Sequence, residues 1–396
     1  MTFTLVKASQ ERIRVSSKIG HFTESAIREM SAIADESGAV NLAQGSPDFA
    51  SPKSVKGAAC AAIQRDHNQY EVNAGSLELR RAIASKARSF NGIEADAEDN
   101  VTVTCGTTEA ITAAMVALID TGDKVIIPEP LYESYVPATL ISGARVVHLP
   151  MSDPVYTFEE EKLKAAFSQR PKVILLNTPN NPTGRVLSIS ELRAVADLCE
   201  DYNVVAIADE IYERITYGEN HHVSLASIGE MSRRTVTVSG MSKTFSVTGW
   251  RVGYAIADKP LTRALRTIHD FLTVCAPSPF QEAATTALAL PDSYYAQLAR
   301  GYDRKRRFVS KSLRELGFLF EEPEGAYYLF ADFSALYKGD DYSFAKWLVK
   351  GGGVALVPGS SFYSNRSGGK SRVRLAFCKK ESTLRDAVER MRARIA

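Results

Sequence analysis

Residues 173–210 read VILLNTPNNPTGRVLSISELRAVADLCEDYNVVAIADE, and this stretch decides the fold. An apolar run at 173–177 leads through a turn-rich segment into a helix pattern at 188–202, and a second apolar run follows at 204–208. Two short apolar strands joined by an amphipathic helix form a crossover unit, which aligns the strands in parallel. Because both runs are apolar at successive positions, we expect a sheet that helices cover on both faces.

The same kind of alternation extends on both sides of this stretch. Further short apolar runs, most of them separated by helix patterns, lie at 101–105, 124–130, 144–150 and 235–240. They predict an α/β fold with a mostly parallel central sheet flanked by helices. After about residue 285, a long charged helix pattern and a few short strands, one of them at 353–359, predict a smaller α+β domain. We therefore expect a large domain, 46–284, and a small domain formed by both chain ends, 1–45 and 285–396.

Composition narrows the possible partners and location. The chain has 396 residues, and its 48 Lys and Arg nearly balance its 46 Asp and Glu, which gives a formal charge of +2. We therefore expect neither a nucleic-acid surface nor attachment to an anionic membrane, and no apolar run is long enough to span a bilayer. The five cysteines are scattered without a C-x-x-C pair, which is typical of reduced thiols in a cytoplasmic protein.

The adjacent residues His221 and His222 raise the question of a metal site. Adjacent side chains point in different directions, and no acidic or cysteine residue stands at a ligand spacing from them. We therefore expect a solvated loop at this pair and predict no bound metal.

Polar residues follow four of the predicted strands at the points where the strands end. In open parallel sheets ligands bind beyond the carboxyl ends of the strands, so we expect these residues to converge on one site. They are Gly106-Thr107-Thr108 after the run at 101–105, Asn181 after 173–177, Asp209 after 204–208 and Lys243 after 235–240.

The groups at two of these strand ends, together with Arg251, suit an aldehyde that carries a phosphate. Gly106 permits a tight turn, and the free N–H groups of Thr107 and Thr108 at the start of an apolar helix can bind a phosphate. Lys243 stands among small and apolar residues, where partial desolvation lowers the pKa of an amine and favours a Schiff base. Arg251 follows in the same motif and can clamp a phosphate.

The remaining groups suit a heteroaromatic ring. The Asp209 carboxylate can hold a ring nitrogen protonated, and Tyr212, one helical turn later, can hydrogen-bond a ring oxygen. Asn181 lies in the turn-rich segment NTPNNPTG, which predicts a shaped polar loop. Taken singly, each residue is explained as readily by a cap, a turn or a buried ion pair. Together with Tyr132 as an aromatic face, they match what pyridoxal 5′-phosphate requires.

The order of these motifs is similar to that of a known family. The chain resembles the class I and II aminotransferases, which are fold-type I enzymes that depend on pyridoxal phosphate. The resemblance runs from NLAQGSPDF at 41–49 to RVRLAF at 372–377. Its motifs, in order, are NQY, CGTTEA, EPLYESY, NTPNNPTG, ADEIY, SGMSKTFSVTGWR, PEGAYY and RVRLAF. It implies transfer of an amino group from an L-amino acid to a 2-oxo acid by a ping-pong mechanism.

The resemblance also implies roles for residues around the cofactor. Lys243 corresponds to the catalytic Schiff-base lysine, which also moves the proton between substrate Cα and cofactor C4′. Asp209 corresponds to the partner of the ring nitrogen, and Asn181 and Tyr212 correspond to the pair that holds the phenolic oxygen. Tyr132 corresponds to the aromatic residue that stacks on the ring. The phosphate contacts implied by the resemblance are Gly106, Thr107, Thr108, Ser242 and Arg251.

Further residues are implied to contact the substrate or a second subunit. Arg374 corresponds to the arginine that binds the substrate α-carboxylate as a bidentate pair, and Gly45 and Asn181 lie near that carboxylate in the family. Tyr70 corresponds to a tyrosine that reaches the phosphate in the neighbouring subunit. This last correspondence implies a homodimer with shared active sites.

One position departs from the family, and the exact reaction stays open at this stage. Many members carry a phosphate-binding serine where this chain has Gly240, so Ser239 or Ser242 would have to replace that contact. Two alternatives to transamination remain. The same cofactor supports β-elimination, cyclisation or decarboxylation, and a protein of this kind can also bind the cofactor without catalysis. The similar enzymes act on kynurenine, glutamine, methionine, aspartate or diaminopimelate derivatives, so the amino donor is not defined.

Overall fold

The computed structural model describes Ser16, Phe22 and residues 24–395. Within this part of the chain, no helix is both long enough and apolar enough to cross a membrane. Its α-helices are α1 (Ala26–Ser37), α2 (Lys53–Gln64), α3 (Leu77–Lys86), α4 (Thr107–Leu118), α5 (Tyr135–Ile141), α6 (Glu160–Ser168), α7 (Ile189–Asp201), α8 (Lys259–Thr273), α9 (Ser278–Leu288), α10 (Asp292–Glu315), α11 (Asp341–Gly352) and α12 (Glu381–Ile395).

The strands form one large sheet and two small ones. They are β1 (Val40–Asn41), β2 (Val101–Thr104), β3 (Lys124–Glu129), β4 (Arg145–Pro150), β5 (Val173–Asn177), β6 (Val205–Asp209), β7 (Thr235–Gly240), β8 (Gly253–Ile256), β9 (Tyr328–Asp332), β10 (Val354–Ala355), β11 (Val357–Pro358) and β12 (Arg372–Ala376). The large sheet has the order β2-β8-β7-β6-β5-β3-β4. Only β8 runs antiparallel to its neighbours, so the predicted mostly parallel sheet is confirmed.

Side chains of the central strands alternate between two apolar clusters. Leu175 and Ile207 join a cluster with α4 and α8 on one face of the sheet. Their neighbours Ile174 and Ala206 join a cluster with α6 and α7 on the other face. Because successive side chains of a strand point to opposite faces, burial on both faces accounts for strands that are apolar at every position.

The crossover unit at residues 173–209 has the expected form. Helix α7 begins after Ser188, whose hydroxyl accepts a hydrogen bond from the Glu191 N–H while the Glu191 carboxylate accepts one from the Ser188 N–H. This reciprocal cap fixes where the helix starts. Strands β5 and β6 pair in parallel with Asn177 opposite Asp209. Both strands end at that level, so the residues that follow them start from one edge of the sheet.

The two chain ends pack together around the small sheets. Strand β1 pairs with β10, with Val40 opposite Val354, and α1 shares an apolar cluster with α11. Strands β11, β12 and β9 form the antiparallel sheet of the carboxyl-terminal region. The pairing of strands from both chain ends fits the predicted division into a domain of 46–284 and a domain built from both ends. That division stays a prediction.

The prediction of a single strand at 353–359 is wrong. Val354 and Ala355 pair with β1, whereas Val357 and Pro358 pair with β12, so the segment crosses from one small sheet to the other at Leu356. All five of these residues are buried. The apolar sequence therefore predicts correctly that the segment is buried. It does not predict that the segment forms two short strands, because that depends on pairing with the distant strands β1 and β12.

A buried polar network follows β6 and corrects the solvated loop expected at His222. The His222 side chain is 1% exposed, and its Nε2 lies 2.9 Å from the Glu210 carboxylate. Glu213 forms an ion pair with Lys86 and accepts hydrogen bonds from Asn91 and from the Ser239 hydroxyl, each at 2.8 Å. The loop after β6 folds back over the strand end, which brings His222 to Glu210 despite the wide spacing. We assign this network a structural role beneath Asp209.

The network generates a stability prediction. Burial raises the pKa of Glu213, but the nearby Lys86 ammonium and the hydrogen-bond donors outweigh it and lower that pKa to about 2. The charged pair therefore stabilises the fold above about pH 4.5, the usual value for glutamate, and this contribution is lost as the pH falls towards 2. Replacing Glu213→Gln leaves a buried ammonium unpaired, so we expect about 3–5 kcal/mol less free energy of unfolding at pH 7 in urea titrations.

A matched variant separates this effect from the loss of any glutamate charge. Glu94 pairs with Arg88 at the surface, where both side chains are mostly exposed. We expect Glu94→Gln to change the free energy of unfolding by less than about 1 kcal/mol, because exposed ion pairs contribute little. Equal losses in the two variants would contradict the assigned role of the buried pair.

Candidate active site

A cavity of about 550 Å³ opens at the carboxyl edge of the central sheet. The strand-end positions that the sequence singled out converge there, together with residues from both chain ends. Of the predicted site residues, those that line the cavity are Gly45, Thr107, Thr108, Tyr132, Asn181, Asp209, Tyr212, Ser242, Lys243, Arg251 and Arg374. Gly106 lies directly behind Arg251, and Tyr70 lies outside the cavity.

Lys243 is an amine in a desolvated setting. It lies three residues beyond β7, and its Nζ is 3.4 Å from the backbone oxygen of Gly45. Burial lowers the pKa of Lys243 to about 8, although the Asp209 carboxylate acts in the opposite direction. A larger share of the amine is therefore neutral near pH 7 than for a surface lysine, and a neutral amine can attack a carbonyl carbon.

Asp209 is a buried carboxylate held at the end of β6. Its Oδ2 accepts a hydrogen bond of 2.8 Å from the Tyr135 hydroxyl, and its Oδ1 accepts one of 3.2 Å from the Ile211 N–H. Burial raises the pKa of Asp209 to about 6, and the Tyr135 hydrogen bond opposes that shift. A carboxylate that is costly to keep charged in this setting gains stability when a cationic ring nitrogen lies beside it.

Asn177 joins the ends of β5 and β6 and orients the following loop. Its Nδ2 donates a hydrogen bond of 2.9 Å to the backbone oxygen of Asp209, and its Oδ1 accepts one of 2.8 Å from the Asn181 N–H. Asn181 is buried, and its Oδ1 accepts a bond of 2.9 Å from Arg374. The two asparagines thus connect the sheet edge to the carboxyl-terminal sheet.

The start of α4 forms a cradle against Arg251. Gly106 has φ of +84°, a left-handed conformation that glycine adopts without strain, and any Cβ there would collide with the Arg251 guanidinium. Thr107 and Thr108 of the first helical turn line the cavity together with Arg251, so free N–H groups, two hydroxyls and a guanidinium are available there. That combination of donors suits a phosphate.

The structure also explains why this chain has Gly240 where many members of the similar family have a serine. A Cβ at this position would lie 2.8 Å from the Cα of Gly253 and 2.9 Å from the backbone oxygen of Val252, so a serine does not fit between β7 and β8. Of the two candidate hydroxyls, Ser242 lines the cavity, whereas Ser239 is buried and donates to Glu213. Ser242 is therefore the hydroxyl available at the phosphate end.

Arg374 is a fully buried guanidinium without a carboxylate partner in the described part of the chain. Besides its bond to Asn181, it donates one of 2.5 Å to the backbone oxygen of Ala43, and its Nε has no partner among the described residues. A buried cation normally pairs with an anion, because desolvation is costly. Its face towards the cavity is therefore suited to a carboxylate from a ligand.

Aromatic hydroxyls complete the wall between the cofactor and substrate ends. The hydroxyls of Tyr212 and Tyr328 lie 3.0 Å apart, and burial raises the pKa of both phenols. Gly45 has to be glycine, because a Cβ would collide with the Tyr328 hydroxyl. The ring of Tyr328 also lies 4.4 Å from the Arg374 guanidinium. Tyr328 thus positions both the glycine loop and the arginine.

Comparison with known proteins gives the site a family. The family description "Aminotransferase class I and II" matches residues 37–391. The probable N-succinyldiaminopimelate aminotransferase DapC of Mycobacterium tuberculosis is 36% identical, over 95% of this chain and 97% of that protein. The methionine aminotransferase of Escherichia coli is 35% identical, over 95% and 97%. The chain belongs to the class I and II aminotransferases.

The fold agrees with this aminotransferase assignment. The solved structure of the N-succinyldiaminopimelate aminotransferase from Mycobacterium tuberculosis superposes with a TM-score of 0.93 at 36% identity, covering 96% of this chain and 100% of the other. The predicted fold-type I architecture and aminotransferase activity are confirmed. The family depends on pyridoxal phosphate, so the predicted cofactor is confirmed as well.

The residues of this aminotransferase fit that cofactor. Lys243 offers an amine of lowered pKa for the aldehyde, and the buried Asp209 carboxylate suits the ring nitrogen. At the opposite end, the cradle of Gly106 and Arg251 leaves room and donors for the phosphate. Each chemical part of the cofactor therefore has a matching group in one cavity.

One predicted residue of the aminotransferase lies away from the cavity, and the residues that the sequence analysis missed include Tyr135 and Arg28. Tyr70 is 84% exposed on the surface. Tyr135, which hydrogen-bonds Asp209, was overlooked although it is the second aromatic residue of the EPLYESY motif and follows Tyr132 by three residues. Arg28 also lines the cavity, and no sequence signal marks it, because it reaches the site from the amino-terminal helix.

The lowered pKa of Lys243 predicts how cofactor capture depends on pH. With a pKa of about 8, the neutral fraction of the amine rises about tenfold between pH 7 and pH 9 and then levels off. We expect the rate of pyridoxal phosphate capture by the cofactor-free protein to follow that curve. Borohydride trapping with mass spectrometry of the Lys243 peptide measures it, and Lys243→Ala is the blank. A rate that keeps rising to about pH 10 would show an unperturbed amine.

Proposed function

We propose that this aminotransferase moves the α-amino group of an L-amino acid to a 2-oxo acid in two half-reactions, with Lys243 as the residue that holds the cofactor and then moves the substrate proton. The observation that carries this proposal is the position of the Lys243 amine. It shares one cavity with the Asp209 carboxylate and the Arg374 guanidinium, and its pKa is lowered to about 8. An amine near its own pKa accepts and returns a proton at neutral pH.

The cofactor-facing residues hold and polarise the ring. Pyridoxal phosphate, when bound, supplies an aldehyde and a ring that withdraws electrons from the substrate Cα. Asp209 keeps the ring nitrogen protonated, and the Tyr135 hydrogen bond keeps that carboxylate in position. Asn181 and Tyr212 would bind the phenolic oxygen, and Tyr132 would supply the aromatic face for the ring. The phosphate is bound by the start of α4 with Thr107 and Thr108, and by Ser242 and Arg251.

The substrate-facing residues orient the Cα–H bond. Arg374 binds the α-carboxylate as a bidentate pair, and its bonds to Asn181 and Ala43 fix the guanidinium plane. The glycine loop at Gly45 lines the same cavity and would lie beside that carboxylate. The Lys243 amine would then remove the Cα proton and return it at C4′ of the cofactor. A single amine could serve both transfers, because Lys243 shares one cavity with the residues proposed to hold the cofactor and the substrate.

We further propose a homodimer whose partner subunit completes each phosphate site. Tyr70 and Phe271 are 84% and 87% exposed, and Val72, Leu272 and Val274 beside them are also largely exposed. The two segments adjoin, because the Ser278 hydroxyl donates a bond of 2.6 Å to the backbone oxygen of Gln69. A cluster of exposed apolar side chains is typical of a surface that a partner covers.

The free state of all five cysteines supports the predicted cytoplasmic location.

The catalytic role of Lys243 has a direct test. We expect Lys243→Ala to lower the half-reaction rate on the order of 10⁴-fold, because the variant lacks both the amine that holds the cofactor and the proton carrier. Stopped-flow absorbance of the cofactor with each amino acid measures that rate. Lys259→Ala, which removes a surface lysine paired with Asp99, is the matched control and keeps the rate of the native enzyme.

The same experiment separates transamination from the alternatives. Incubation with an amino acid alone converts the cofactor once, in a stoichiometric amount, to its amine form if the enzyme is a transaminase. Continuous release of pyruvate or a thiol indicates β-elimination, and carbon dioxide release indicates decarboxylation. Cofactor binding without any conversion, across the twenty amino acids with kynurenine and diaminopimelate derivatives, would refute the proposed reaction.

The dimer is tested by charge placed in the apolar surface. We expect native protein to sediment as a dimer and Phe271→Asp to sediment as a monomer with weakened cofactor binding, because a buried unpaired carboxylate opposes association. Leu319→Asp is the control, since Leu319 is an exposed apolar residue beside the carboxyl-terminal sheet. A native monomer with full cofactor affinity would rule out the shared site.

A further inference from the structure

Two phenols from different sheets meet inside the cavity. Tyr212 follows β6 by three residues, and Tyr328 is the first residue of β9. Both line the cavity, and their hydroxyl oxygens lie 3.0 Å apart. Because both side chains are buried, each hydroxyl finds its hydrogen-bond partner in the other.

The direction of this hydrogen bond follows from the proposed task of Tyr212. A hydroxyl has one proton to donate, and its oxygen can accept. In the proposed function, Tyr212 donates its proton to the phenolic oxygen of the cofactor, so only its oxygen remains available to Tyr328. With the cofactor bound, Tyr328 is therefore the donor and Tyr212 the acceptor.

The surroundings also favour Tyr328 as the donor. Burial raises the pKa of Tyr328 to about 12, and the Arg374 guanidinium, 4.4 Å from the centre of its ring, opposes that rise. Burial raises the pKa of Tyr212 well above its ordinary value, and the Asp209 carboxylate adds to the rise. A nearby cation polarises the Tyr328 O–H bond, which makes it the stronger hydrogen-bond donor of the two.

The Tyr328 side chain is held on several sides. Strand β9 pairs with β12 so that Tyr328 lies opposite Ala376, and the ring of Tyr327 packs 4.9 Å away. The hydroxyl lies so close to Gly45 that no Cβ fits there. The ring of Tyr212 in turn packs edge-on against both Tyr327 and Tyr328. The two hydroxyls therefore keep their positions opposite each other.

We propose that Tyr328 is a positioning residue for the cofactor, which donates a hydrogen bond to Tyr212 and so strengthens the bond from Tyr212 to the phenolic oxygen. Hydrogen bonds in a chain polarise one another. A stronger donor stabilises negative charge on the phenolic oxygen, which lowers the pKa of the Schiff-base nitrogen that Lys243 contributes. The inference rests on the role of Tyr212 in the proposed function and adds a residue that tunes that contact.

Other titratable and charged groups also face the two phenols. They are those of Tyr132, Asp209, Lys243, Tyr327, Arg374 and Cys378. Replacing Tyr328→Phe removes a single oxygen atom and leaves each of these groups in the chain. The ring beside Arg374 is also retained. A change in the titration of the bound cofactor is then attributable to the lost hydroxyl.

The experiment measures the absorbance of the bound cofactor as a function of pH, without any substrate. The midpoint reports the pKa of the Schiff-base nitrogen. The variants are Tyr212→Phe, Tyr328→Phe and the double variant, each checked for native thermal unfolding. Tyr302→Phe is the matched control. Tyr302 is a buried tyrosine of the same apolar cluster that does not line the cavity, and its hydroxyl has no partner among the described residues.

The expected result is a shift that depends on Tyr212. Tyr212→Phe raises the midpoint by about 1 unit or more, because the phenolic oxygen loses a donor. Tyr328→Phe raises it by about 0.3–0.5 units, because an outer hydrogen bond changes the strength of the inner one by roughly 10–30%. The double variant has the midpoint of Tyr212→Phe alone, because Tyr328 acts through Tyr212. Tyr302→Phe titrates like the native enzyme.

Three results would overturn the inference while leaving the role of Tyr212 intact. They are an unchanged midpoint in Tyr328→Phe, a lowered midpoint in that variant, and additive shifts in the double variant. An unchanged midpoint in Tyr212→Phe refutes the proposed contact of Tyr212 and the inference with it. The titration needs no substrate, so a native enzyme that converts no amino acid refutes transamination separately.

Discussion

The parallel pairing of β5 with β6 determines where the chemistry of this enzyme lies. Asn177 and Asp209 face each other in register at the ends of these strands, and Asn177 also holds Asn181. Every group that follows a strand end therefore starts from one edge, and the cavity forms where those groups meet. The interaction is a backbone ladder buried beneath two layers of helices. Its position does not depend on the side chains that later act on a ligand.

Much of the fold was accessible from the sequence, because its causes are local. Strands buried on both faces must be apolar at successive positions, and the runs at 173–177 and 204–208 show this without reference to the rest of the chain. The segment 353–359 illustrates the limit. Its apolarity predicts burial, but the change of sheet at Leu356 depends on partners near Val40 and Arg374, which no local pattern reveals.

The site residues likewise include some that the sequence predicts and others that depend on distant contacts. Lys243, Asp209 and Asn181 each follow a predicted strand, so topology alone placed them together. Tyr135 and Arg28 were not predicted from the sequence. Tyr135 contacts the site through Asp209, and Arg28 comes from a helix that reaches the cavity only after folding. The burial of His222 was not predicted for the same reason. Its partner Glu210 lies across a loop that folds back on the strand end, and only the fold brings the two side chains together.

The two ends of the cavity are built by separate parts of the chain. The cavity residues proposed to face the cofactor belong to residues 107–251, whereas Gly45, Arg374 and Arg28 come from the amino-terminal and carboxyl-terminal segments. Most of the apolar side chains of these segments pack in clusters separate from those on the two faces of the central sheet. Sequence change in the segments can therefore alter which substrates are accepted while the sheet edge keeps its cofactor chemistry. Such modularity allows one catalytic apparatus to serve enzymes of different substrate preference.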